Sequence, residues 1–129
     1  MVQQKQKFDF WNDHSLEFLE MAMSRDSQER LENPDGYGKR TGECGDTVEF
    51  FLNQQGKSIG SVSYDADGCV NTHACANTVV KLAEGRPVED AWNITHEDVS
   101  EYLKTLPEHQ EHCAQLAAGA FYLALKSLE

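Results

Sequence analysis

The sequence predicts an α+β domain: a small antiparallel β-sheet with helices packed on one face. Three observations lead there. Val48, Phe50 and Leu52 alternate with Thr47, Glu49 and Phe51, the period of a strand with one buried face. A second strand-like stretch, Ser58 to Ala66, follows the turn-forming Asn53-Gln54-Gln55-Gly56-Lys57, so the two form a hairpin. Helical spacing occupies the chain on both sides, giving the order helix, strands, several helices rather than a βαβ alternation. The 129 residues contain no repeat, low-complexity segment or dividing linker, so residues 1–129 read as one domain.

Taken in order, Asp13 to Leu31 reads as a first helix, capped by Asp13 or Ser15, with Leu16, Leu19, Ala22 and Met23 as its apolar stripe. Phe8, Phe10 and Trp11 are expected to pack on the same core. Asn33-Pro34-Asp35-Gly36 stops that helix. Gly36 to Gly45 is polar and glycine-rich, a loop with room for a short edge strand. In the second hairpin strand Gly60, Val62 and Tyr64 are expected on one face. Thr72 to Glu84 returns to helix and stops at Gly85. Pro87 opens a short helix through Ala91-Trp92, and Thr95 with Asp98 forms a capping box for another. Leu106-Pro107 breaks it, and Glu108 to Leu128 is the last helix.

A formal net charge of −11 and a pI near 4.8 argue against nucleic acid and against an anionic membrane surface, both of which reward clustered Lys and Arg. No apolar run approaches the length of a membrane span, and the N-terminal residues lack the apolar stretch of a signal peptide. A cytoplasmic location is expected. In that reducing setting the four cysteines, Cys44, Cys69, Cys75 and Cys113, read as ligands or reactive thiols rather than disulfides. None is paired in CxxC spacing, so neither a thioredoxin-like motif nor a local zinc knuckle is present.

Gly42-Glu43-Cys44-Gly45-Asp46 sets a thiol and a carboxylate in one glycine-flanked loop, two anionic ligand types suited to a metal. Cys69 precedes a helix, whose N-terminal partial charge favours thiolate. His112-Cys113 lies near the start of the last helix. Cys44, Cys69 and Cys113 are therefore expected at partly exposed, reactive positions. Adjacent helical residues point about 100° apart, so His112 and Cys113 do not naturally aim at one atom. Cys75, inside an apolar stripe, reads as a small core residue, and His14, His73, His96 and His109 as surface or helix-end polar groups.

These stretches, together with Asp67-Gly68-Cys69, Glu84-Gly85-Arg86-Pro87-Val88-Glu89-Asp90-Ala91 and Leu106-Pro107 ahead of His112-Cys113-Ala114-Gln115-Leu116-Ala117, resemble the IscU/NifU-type iron–sulfur cluster assembly scaffolds in order and approximate spacing. The resemblance implies an IscU/SufE-like fold and makes Cys44, Cys69 and Cys113 the cluster-ligating cysteines, with Asp46 and His112 beside them. It implies that these five groups hold iron, zinc or a transient [2Fe–2S] cluster. It further implies sulfur delivery as persulfide by a cysteine desulfurase, with Cys113 as acceptor, and transfer to apo iron–sulfur proteins. In this reading the chain is a carrier and not a turnover enzyme.

The chain departs from the family pattern at Leu106-Pro107-Glu108-His109-Gln110, where a second proline and a lysine are absent; this makes recognition by an Hsp70-type chaperone doubtful. The loop before Cys44 is also short. Two other readings of the same thiols are a structural zinc site of three cysteines with Asp46 or His112, and a thiol sulfurtransferase using Cys113. The sequence leaves open whether Asp46 or His112 is the fourth ligand.

Overall fold

The computed structural model describes residues 9–128. Two short helices, α1 (Phe10–Asp13) and α2 (Leu16–Met23), precede three antiparallel strands, β1 (Gly36–Thr41), β2 (Thr47–Gln55) and β3 (Ser58–Asp67), in the order β1-β2-β3. Helices α3 (Val70–Ala83), α4 (Val88–Ala91), α5 (His96–Leu103) and, after a 3-10 turn at Glu108–Gln110, α6 (Glu111–Lys126) follow. The expected α+β architecture is what the chain adopts. Helix α6 lies across β1 and β2, α3 lies against β3, and α2 and α5 pack outside α3.

Strand alternation places Val48, Phe50 and Leu52 under these helices, all fully buried. Phe121 of α6 meets the Phe50 ring edge-on at 5.8 Å between centroids. With Tyr64, Val79, Val99, Leu103 and Leu125 they form one continuous core. Burial of this apolar surface is the main term favouring the fold.

Several expectations need correction. The first helix ends at Met23, not Leu31, because Ser27 and Glu29 are taken up by the free edge of β3. The Tyr64 N–H donates to the Ser27 carbonyl and the Glu29 N–H to the Tyr64 carbonyl, each at 2.9 Å. An exposed sheet edge has unpaired backbone groups to satisfy, and this segment satisfies them. Ser15, not Asp13, caps α2. Its buried side is Phe18 and Ala22, while Leu16 is 77% and Trp11 63% exposed, so the expected stripe is rotated. Phe10 packs against the core; Phe8 lies outside the described residues.

The hairpin turn is tighter than expected. The strands run on to Gln55 and start again at Ser58, leaving the two-residue turn Gly56-Lys57 with Gly56 at φ +62°. Asn53 then pairs Ser61 while Gln54 pairs Ile59, so Gly60 is the extra residue of a β-bulge. The bulge turns Ile59 inward and leaves Gly60 exposed. On the outer face Phe51 is also buried, roofed by the Arg30 guanidinium at 5.4 Å from its ring centre. Arg30 is held there by Glu49, at 2.5 Å, and Asp65, at 3.0 Å.

Strand β1 meets α6 backbone to backbone. A Cβ on Gly38 would fall 2.5 Å from the Ala120 carbonyl oxygen and nearer still to the Ala124 nitrogen. Neither atom can yield without moving the helix. Gly38→Ala is expected to destabilise the fold by about 3 kcal/mol, the range for overpacking a rigid contact, seen as a lower urea midpoint with unchanged slope.

Candidate metal centre

The β1–β2 turn carries the first candidate ligands. Thr41 and Thr47 hydroxyls meet at 2.9 Å across its base. The Gly42 N–H donates to the Asp46 carbonyl at 2.8 Å, and the Gly45 N–H to the Gly42 carbonyl at 3.0 Å. Gly45 sits at φ +91°, a conformation that favours glycine. The turn leaves Asp46 half-buried at the start of β2, aimed back across the end of β3. There Gly68 makes room: a Cβ at that position would lie 2.7 Å from Asp46 Oδ2.

Cys69 is the N-cap of α3, and Cys113 is the third residue of α6. A carboxylate oxygen of Asp46 and the two sulfurs all lie within 4.8 Å of one another. Ligands about 2.3 Å from a tetrahedral zinc stand roughly 3.8 Å apart, so contraction by about 1 Å or less would bring these three onto one ion. Two thiols and a carboxylate make a donor set for zinc or iron rather than for a hard cation.

Cys44 and His112 are placed differently. Cys44 is exposed and stands outside that trio. It lines a neighbouring cleft of about 370 Å³ with Arg40, Glu43, His112, Gln115 and Leu116. The five residues singled out from the sequence thus form two adjoining groups, Asp46–Cys69–Cys113 and Cys44–His112. Cys75 is fully buried in the core, which pushes its thiol well above the ordinary value. His73 Nδ1 lies 3.0 Å from the Tyr64 hydroxyl and His96 Nδ1 2.9 Å from Glu111. His14, expected at the surface, is buried and stacks on Phe18 at 3.7 Å.

Residues 26–129 match the family model described as NifU-like N terminal domain. The chain belongs to the NifU-like N-terminal domain family. The iron–sulfur cluster assembly scaffold protein IscU 1 of Archaeoglobus fulgidus is 30% identical over 97 residues, covering 74% of this chain and 63% of that protein. The corresponding IscU of Aquifex aeolicus is 29% identical over 99 residues, with the same two coverages. The chain therefore spans less than two thirds of the length of these curated relatives. A nitrogen-fixing NifU-like protein (N-terminal) from Brucella abortus superposes with a TM-score of 0.73 at 13% identity, over 88% of this chain and 92% of that one, a likeness of fold. Among the described residues no helix is long and apolar enough to cross a membrane.

Within this NifU-like domain the two central thiols differ sharply. Burial pushes the Cys69 thiol up, but the N–H groups of Thr72 and Asn71 and the Thr72 hydroxyl outweigh it and leave Cys69 below the ordinary thiol value. Cys113 was expected to be partly exposed. It is fully buried, on the side of α6 that faces Thr72 of α3, and burial pushes its thiol up to about 11. Its thiol lies 3.4 Å from Gln110 Oε1, an acceptor.

Sequence reasoning missed Thr72. Its hydroxyl lies 2.7 Å from Asp46 Oδ2, 3.6 Å from Cys113 Sγ and 3.7 Å from Cys69 Sγ. The available signal was its spacing: three residues past an N-cap cysteine, a side chain shares the cap's face of the helix.

The metal-free protein is expected to alkylate at Cys44 and Cys69 within minutes at about pH 8, while Cys113 and Cys75 stay unmodified until denaturant is added, because reaction needs an accessible thiolate. Peptide mass mapping over a time course checks this.

Proposed function

We propose that this domain is a scaffold on which a [2Fe–2S] cluster is assembled before passing to apo iron–sulfur proteins. The observation that carries the reading is the meeting of Asp46, Cys69 and Cys113, drawn from three separate elements, at metal-binding separations. Membership of the NifU-like family and the names of the relatives support it.

The cluster is cargo here, and the donor set suits cargo. Iron–sulfur clusters that stay bound are held by four thiolates. Two or three thiolates with a carboxylate form a weaker, mixed site that can release what it holds. Cys44 becomes the third sulfur by rotation of the Gly42–Gly45 turn, which is anchored at both ends by backbone hydrogen bonds but exposed between them. Asp46 completes the set, and His112, on the cleft side, is the exchange ligand facing an incoming partner. Zinc occupies the same donors when iron and sulfide are absent.

The sulfur donor in this reading is a cysteine desulfurase delivering persulfide. Cys44 and Cys69 are open to it. Cys113 receives sulfur only after the β1–β2 turn lifts, since its thiol is covered in this conformation. The role is that of a carrier in the cytoplasm, where the free thiols stay reduced. At the site of Hsp70 recognition in such scaffolds the chain presents Glu108–Gln110 as a 3-10 turn after Pro107, lacking the second proline and the lysine, so recognition by that chaperone is doubtful in this reading.

Anaerobic incubation with ferrous iron, cysteine, a cysteine desulfurase and a dithiol reductant, which supplies the electrons that turn persulfide sulfur into sulfide, is expected to develop visible cluster absorbance that then appears in added apo-ferredoxin. Asp46→Ala is expected to slow that transfer several-fold by removing the oxygen ligand that favours release. Tight zinc binding with no cluster formed, or transfer from Asp46→Ala as fast as from the wild type, would contradict the reading.

A further inference from the structure

We propose that Thr72 is the positioning residue of the metal site, the group whose hydroxyl docks the Asp46 carboxylate between the Cys69 and Cys113 sulfurs. The proposal rests on the metal-site reading above and adds to it a residue that is not itself a ligand.

The geometry is specific. Thr72 is fully buried in the first turn of α3, so its rotamer is fixed by packing. Its hydroxyl has one proton to donate, and Asp46 Oδ2 takes it at 2.7 Å; the two sulfurs, at 3.6 and 3.7 Å, surround the same oxygen. Asp46 follows three exposed residues of its turn, Glu43, Cys44 and Gly45. A carboxylate so placed would gain hydration by swinging outward, away from the sulfurs. The Thr72 hydroxyl opposes this with a charge-assisted hydrogen bond. The missing side chain of Gly68 permits the docked position, because the carboxylate lies in the space a Cβ would fill.

Holding Oδ2 leaves Oδ1 free, so Thr72 can stay bonded to Asp46 while the other oxygen takes a metal. Hydrogen-bonded partners behind ligating carboxylates commonly change metal affinity by about 10- to 100-fold. Thr72 also spans the two parts of the chain that must meet, the β1–β2 turn and the start of α3. Serine keeps the donor at this position. Valine keeps the shape and removes it.

The test is a titration of the full chain with Co²⁺ alone, followed through its thiolate-to-cobalt absorption. Thr72→Val is expected to weaken Co²⁺ binding about tenfold, and Thr72→Ser to stay within about twofold of wild type. In an Asp46→Ala background Thr72→Val should change affinity by less than about twofold, because the interaction it removes is already gone. Equal affinities for wild type and Thr72→Val would overturn the role of Thr72. So would a loss that persists undiminished without Asp46, or one that serine fails to restore. A wild-type protein giving no thiolate-to-cobalt band would instead overturn the metal-site reading itself.

Discussion

The close seating of α6 on β1 is the constraint on which the site depends. At Gly38 the strand and helix backbones approach as nearly as a missing side chain allows. That contact fixes how far the first turn of α6, with Cys113, stands from the β1–β2 turn, with Asp46. Helix α3, packed between β3, α6 and α2, sets the third position at Cys69. Three candidate ligands from three elements share no local chain geometry. Their spacing is a property of the core, and a packing shift of about 1 Å is enough to separate a loose trio from a closed one.

The same arrangement explains why the two central sulfurs are unlike. Cys69 caps a helix at the surface, among backbone N–H groups that favour its thiolate. Cys113 lies against Thr72 in the buried interior, where burial holds its proton on. In the proposed reading a metal or cluster arriving from solvent meets the exposed Cys44 and Cys69 first, beside a β1–β2 turn whose residues Glu43, Cys44 and Gly45 are exposed. Thr72 belongs to the buried first turn of α3 and Asp46 to the end of the β1–β2 turn, and their hydrogen bond joins the two.

Much of this was legible in the sequence because it is local. The β2–β3 pairing follows from alternation, the capping box at Thr95 and Asp98 from residue identity at fixed offsets, and the end of α3 from Gly85, which sits at φ +83°. The family resemblance, resting on separated motifs in register, includes Asp46, Cys69 and Cys113 among its five residues, and the fold brings those three side chains near one another. What stayed hidden is long-range. The chain after Met23 leaves its helix because a β3 edge nearly forty residues away offers better partners. Gly60 faces outward because of a bulge, which a period-two reading cannot contain. Phe51 is buried by an arginine held through ion pairs to its own strand at Glu49 and to β3 at Asp65. The burial of Cys113 and the place of Thr72 depend on how a turn folds over a helix end, and no spacing rule encodes that.

The central claim is that Asp46, Cys69 and Cys113 bind one ion together. X-ray absorption at the zinc edge of the zinc-loaded protein addresses it most directly. The account predicts at least two sulfur neighbours at about 2.3 Å with one or two oxygen or nitrogen neighbours near 2.0 Å. A first shell made only of oxygen and nitrogen, or one containing a single sulfur, would contradict it.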